Sequence, residues 1–452
     1  MLLSILAVMG SLSWGQPAQA PGYTLGAAVD AALQRSPVVG AAGHRVRAAD
    51  SALREAQMKR LPSLTAYSAF TRGDDPVYVF GTRMEQKVFT ASDFDVYSLN
   101  NPSLRSNFRN AFEIGVPLFT GLELQSQERL GRLGREAAAS QKDGALQRTR
   151  YAAMEAFLQV MLQQELLQAV TERVAASGQE LESARRLREK GLVLGSDYYA
   201  AGAILGGLRV WQTRLEAGLQ AAKSSLAVLL GKSPSELAVS GRLGYAEYPL
   251  EPESELAGRA LRERPELRQI DLQSGMAEAV RRKEGFSLLP KVEAFASVQT
   301  NTRDFDSNPW NRMAGVRASL PLGDPGYPAR RARSQAMLEA SRSEAQRMRE
   351  EASREVSRSY QELRGAAASL PLAKQTADQA GQSLDMFRPL YREGRQSILE
   401  VLRAEEGLAR SQAAYLETLY AVHMGRARLL LAAGGLDSGA VREVEQGLEV
   451  RP

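Results

Sequence analysis

The residues able to do chemistry are few and scattered. Only two histidines occur, His44 and His423. Each sits in a helical stretch without a partner at ligand spacing, so each reads as a packed or solvated side chain. Cysteine is absent, which removes disulfides, thiolate metal sites and a lipid-modified N-terminal cysteine. No phosphate-cradling glycine loop and no nucleophile elbow is present. What remains is two glycine turns, Gly191 to Gly195 with Ser196 and Asp197 after it, and Gly394 with Ser397 after it. Ser196 can cap a helix start and Asp197 suits its first turn. The chemistry on offer is hydrogen bonding and charge. We expect no enzyme, no cofactor and no metal.

Long helices must present those turns. Aromatic residues make up only 6% of the chain, against 44% hydrophobic, and Ala, Leu, Gln, Glu and Arg dominate long stretches, the palette of extended helices. The 57 basic and 52 acidic residues are interleaved, as in REEASREVSR at 349–358. That pattern is a solvated helix face, and no nucleic-acid partner is expected.

The chain repeats itself. AALQRSP at 31–37 answers RALRERP at 259–265; Pro37 and Pro265 are as far apart as Pro62 and Pro290. VPLFTG at 116–121 answers LPLGDPG at 320–326, REKG at 188–191 answers REGR at 392–395, and LAVLLG at 226–231 answers LLLAAG at 429–434. A repeat this long is a duplicated half-protein. The expected divisions are 1–20, a signal peptide; 21–231, the first repeat; 232–252, a connector; 253–434, the second repeat; and 435–452, a tail along the outside. MLLSILAVMGSLSW supplies the signal's apolar core and AQA at 18–20 its cleavage site. No Lys or Arg precedes the apolar run, which points to a weak signal or a start upstream. No other stretch reaches about 18 consecutive apolar residues, so no transmembrane helix is expected.

Each half predicts a proline-broken helix pair, two strands and a long helical hairpin. Strands are expected at about 63–73, 107–118, 291–300 and 311–322. In 107–118, Phe112, Ile114, Val116 and Leu118 point one way, and Glu113, Gly115 and Pro117 the other. Residues 74–106 read as a long loop. The hairpins span 122–230 and 327–433, with first arms of roughly 100 Å and a kink at Pro371. Ser196 and Ser397 are the expected caps of the returning helices. Four strands cannot close a barrel, and open strands cannot sit in lipid. Membrane-embedded strands therefore require an oligomer, and three copies give twelve strands and twelve rods.

This order, with GLVLGSD at 191–197, SLDMFRPLYREGRQSILEVLRAE at 383–405 and the loop at 75–103, resembles the TolC family of outer-membrane efflux channels. The resemblance covers essentially all of the mature chain. It implies a mostly helical fold with a small membrane β-barrel: a homotrimer whose 12-stranded barrel in outer-membrane lipid continues as a 12-helix periplasmic α-barrel in a Gram-negative bacterium. The implied function is passive conduction from an inner-membrane pump of the RND or ABC type, through a periplasmic adaptor (membrane fusion) protein, to the outside. Asp197 and Tyr391 match a pair linking helices of a closed, iris-like gate. Ser196 matches the hydroxyl residue beside that Asp, and Gln396 stands where an arginine would strengthen the latch. Glu400 matches an acidic luminal ring; Arg403 falls where a second ring would sit. Gly191, Leu192, Val193 and Gly394 would form the tips that dock the adaptor, since an exposed Leu-Val pair has no folding purpose. The alternative is a soluble periplasmic coiled-coil scaffold, which explains the rods but not the strands.

Overall fold

In a computed structural model, residues 22–304 and 309–449 are described; the expected signal peptide lies outside them. The first half runs α1 (Leu25–Arg35), α2 (Pro37–Met58), β1 (Ser63–Gly73), α3 (Pro76–Glu85), α4 (Val96–Asn100), β2 (Arg105–Thr120), α5 (Glu123–Glu189) and α6 (Gly195–Leu230). The second runs α7 (Glu253–Glu263), α8 (Pro265–Gly285), β3 (Lys291–Thr302), β4 (Trp310–Ser319), α9 (Tyr327–Arg392) and α10 (Ile398–Ala432), followed by α11 (Ser438–Gln446). Pro37 and Pro265 each begin a second helix. Proline suits that position because its fixed φ is helical and its missing N–H would be unpaired there anyway.

The described chain forms two compact units, and each draws on both sequence halves. Residues 42–142 and 266–349 form a strand unit; residues 22–41, 143–265 and 350–449 form a helical unit.

In the strand unit the sheet order is β1-β2-β3-β4 and every pairing is antiparallel. Directly opposed residues share a face. Leu64, Ile114 and Ala296 are one such row, Phe112 and Val298 another, and Val116, Ala294 and Val316 a third. The opposite face carries Arg109, Glu113, Gln299 and Asn301, with Asn107 donating to Asn301 at 2.8 Å and Arg109 to Gln299 at 2.6 Å. One face is therefore largely apolar and exposed, as at Leu64 and Val316, and the other is polar and hydrogen-bonded.

The helical unit is built on a seven-residue rhythm. On α9 the buried positions include Val356, Leu363, Leu370, Ala377, Leu384 and Tyr391, every seventh residue. Ala201, Leu208, Leu215 and Ala222 do the same on α6. A straight α-helix drifts about 20° per seven residues, so a seam kept at that spacing makes the helices wind left-handedly around one another.

Three expectations are corrected. Residues 74–106 are not an irregular loop: Asp75 accepts from the Tyr78 amide and Asp95 from the Ser98 amide, starting α3 and α4. Pro76 sets the first turn of α3. The tail does not trail outside. Asp437 caps α11, whose Ala440, Val441 and Val444 are buried in the core. Ser196 does not cap α6, which starts at Gly195 with Leu194 as its N-cap residue and no side-chain cap bond. Ser397 does hold the N-cap position of α10, also without a side-chain bond. The long helix α9 continues through both Pro371 and Pro389.

His423 is fully buried. Its Nε2 lies 3.0 Å from the Gly244 carbonyl and its Nδ1 2.7 Å from the Tyr248 hydroxyl. A carbonyl can only accept, so Nε2 carries the proton and Nδ1 accepts from Tyr248. Burial pushes the ring's pKa below its ordinary 6.5, against a smaller upward pull from the Gly244 bond. The unfolded chain then binds a proton that the folded chain refuses. The stabilisation is complete above the ordinary pKa and is lost as pH falls through 6.5. We expect thermal stability of the purified protein to fall between about pH 7.5 and 5.5, and His423→Gln to flatten that slope. A variant with the wild-type slope would show that another group titrates.

Candidate functional site

The two long hairpins turn in the same way. Gly191 and Gly394 have φ of 75° and 73°, the left-handed region. At the first turn the Gly191 amide donates to Arg188 at 2.9 Å and the Leu192 amide to Leu187 at 3.0 Å. At the second, Gly394 donates to Tyr391 at 2.9 Å and Arg395 to Leu390 at 2.8 Å. These bonds satisfy carbonyls that a helix end leaves unpaired. A Cβ at either glycine would meet nothing within 4 Å, so backbone angle rather than space requires glycine there.

Beneath the turns, Ala201, Leu384, Tyr391, Ile398, Val401 and Leu402 belong to a small separate core. A cleft of about 700 Å³ opens beside it. Asp197, Tyr391, Gln396, Gly394, Leu192 and Val193 all line it, so most of the residues singled out from the sequence converge on one place. Ser196 is exposed outside the lining, its hydroxyl 3.5 Å from an Asp197 carboxylate oxygen. Glu400 also lies outside, paired with Arg403 at 2.8 Å. Val193 packs against the small core. The exposed apolar surface of the tip is therefore Leu192 with Leu194, at 71% and 70%, and Leu194 is an addition to the expected set.

Tyr391 is buried, and its hydroxyl has no hydrogen-bond partner among the described residues. Burial, aided by the Glu180 carboxylate, pushes the phenol above its ordinary 10.0, so it stays a neutral donor. A buried donor without an acceptor is costly. The chain thus leaves this hydroxyl without a partner among the described residues, in the lining that also carries Asp197.

One polar residue of the site went unrecognised in the sequence. Glu405 on α10 is completely buried, with Arg388 of α9 at 2.5 Å and Arg173 of α5 at 3.4 Å. It ties three helices together between the small tip core and the main one. Its only sequence signal is register, since Glu405 stands seven residues after Ile398 on the buried seam.

A model of the family described as outer membrane efflux protein matches residues 28–232 and 256–435. No curated protein matches the chain. Among solved structures, the CmeC outer membrane channel of Campylobacter jejuni superposes with a TM-score of 0.78 at 14% identity, covering 99% of this chain and 98% of that one. The outer membrane protein VceC of Vibrio cholerae gives 0.75 at 17% identity, covering 91% and 96%. The open MtrE outer membrane channel of Neisseria gonorrhoeae gives 0.77 at 16%, covering 92% and 90%.

Removing one partner of a buried charged group leaves the others uncompensated. Glu405→Ala should destabilise the helical unit by about 3–5 kcal/mol, read as a lowered unfolding midpoint in denaturant. A midpoint unchanged from wild type would mean that water already screens both arginines.

Proposed function

The chain belongs to the outer membrane efflux protein family, and from that premise we propose how its geometry makes a duct. Its function is that of a passive outer-membrane exit duct of a tripartite efflux system, not that of an enzyme. The observation that carries the proposed assembly is the sheet: one face apolar, one face polar, and both outer edges without a strand partner among the described residues. An unpaired strand edge in hydrocarbon leaves each free amide and carbonyl at a cost of several kcal/mol. Three copies remove every edge if β4 of each lies beside β1 of the next. The apolar faces then meet lipid, and the polar faces line a water-filled lumen.

The gate lies at the tip. Tyr391 supplies a neutral donor and Asp197 a half-buried acceptor on the same cleft, and helix movement brings the two together or apart. Gln396 adds an uncharged polar group to the latch, and Ser196 holds the Asp197 carboxylate from outside. Opening is a rigid-body shift of supercoiled helices. Glu400 forms a luminal ring whose charge Arg403 partly offsets, which makes for weak cation preference. Leu192 and Leu194, presented by the Gly191 turn beside the Gly394 turn, dock the tip of the periplasmic adaptor; an RND or ABC pump supplies the cargo. The soluble scaffold accounts for the seven-residue seam but gives the apolar sheet face no purpose.

The assembly is tested by extracting membranes with sarkosyl. A heat-modifiable, insoluble trimer is expected, and a monodisperse single copy in detergent would overturn the closure. Asp197→Ala with Tyr391→Phe should raise single-channel conductance in planar bilayers; unchanged conductance removes the gate assignment. Leu192→Glu should abolish efflux while trimers still form. Normal efflux in that variant argues against docking at the tip.

A further inference from the structure

Joining two adjacent antiparallel strands takes only two to five residues or so. The β3–β4 connection is short, residues 303–309, but the β1–β2 connection spends residues 74–104. That length is folded, not spare. Val79, Thr82 and Gln86 are buried, Arg83 pairs with Asp93 at 2.9 Å, and Phe89 packs edge-on against Phe80 and Phe94.

The segment is tied across the whole width of the sheet. The Tyr78 hydroxyl donates to the Thr71 carbonyl of β1 at 2.9 Å. Gln86 donates to the Ser106 carbonyl and the Asn107 side chain of β2, both at 3.0 Å, and accepts from Arg105. Asn107 passes the chain on to Asn301 of β3. Lys87 donates to the Trp310 carbonyl of β4 at 3.3 Å, and Asn311 to the Glu85 carbonyl at 3.0 Å. Arg105, Asn107 and Asn301 all stand on the polar face. The contacts lie at the strand ends remote from α2, α5, α8 and α9, which join the sheet at its other end.

Given the duct reading, on which this rests, we propose that residues 76–100 are a lid over the outer mouth of the lumen that limits the size of solute able to pass. The polar face is the lumen side, so a segment fastened to it occupies cross-section. A segment that merely joined strands would have no cause to bridge all four. Three copies would narrow the mouth together. Gln86 is the central fastening, since it bonds the end of a lid helix to both backbone and side chain of β2.

The absence of cysteine makes single-cysteine labelling on intact cells clean. Ser297→Cys places a thiol on the polar face, deeper than the lid, opposite Glu113. Val77→Cys, on the exposed lid surface, reports surface display. In the otherwise unchanged protein, a small maleimide should label Ser297→Cys while a polyethylene-glycol maleimide barely reacts. Replacing residues 74–104 by an Asn-Gly turn should speed the large reagent by an order of magnitude and leave the small one unchanged. Tyr78→Phe with Gln86→Ala, which cuts two fastenings and leaves the chain length intact, should move the same way and carries the test if the shortened chain does not assemble. Equal large-reagent rates with and without the fastenings overturn the lid while the duct stands. Failure of even the small reagent at Ser297→Cys, with Val77→Cys labelled, overturns the duct and the lid with it.

Discussion

Backbone hydrogen bonding at the edges of the sheet governs the rest of the molecule. Among the described residues β1 pairs only with β2 and β4 only with β3, so each presents one outer edge without a strand partner. In water such edges are tolerable; in hydrocarbon they are not. The division of side chains into an apolar face with Leu64, Phe112 and Val316 and a polar face with Arg109, Gln299 and Asn301 fits the closure by other copies proposed above. In that proposed closure the apolar face meets lipid and the polar face conducts.

The helical unit answers a different constraint. Helices that must stay together over many turns need a seam that does not wander off the facing surface, and a seven-residue spacing with left-handed winding keeps it there. Most buried positions on α6, α9 and α10 are aliphatic, but Tyr391 of α9 and Glu405 and His423 of α10 are not. His423 is fully satisfied by Tyr248 and Gly244, and Glu405 is held by two arginines. Tyr391 alone among these three has an unpartnered side-chain atom, its hydroxyl, in the described structure. Glu405 holds α5, α9 and α10 together, and His423 holds α10 to the connector between the two halves. The unsatisfied one sits where the proposed gate would move.

Much of this was legible in the residues. Pro37 and Pro265, Pro62 and Pro290, and the glycines at 191 and 394 mark helix breaks, strand starts and turns through local backbone preference, which acts without knowledge of distant chain. The cap signals at Asp75-Pro76 and Asp95 were equally local, yet the density of aromatic and polar residues around them reads as loop. The same holds for α11, where Asp437 comes shortly after two glycines that read as the end of the fold but only end α10.

The sequence by itself determined the duplicated order of elements, the turn geometry at the tips and the alternation of the strands, because these follow from φ preference, capping and side-chain periodicity within a few residues. Only the tertiary structure decided that Glu405 lies between Arg173 and Arg388, that His423 meets Tyr248 and Gly244, and that Gln86 fastens a helix to the polar side of the sheet. Each of those depends on which surfaces of separate helices and strands come face to face. A charged or polar residue on a periodic helix carries no mark of its eventual partner until the packing removes water from around it.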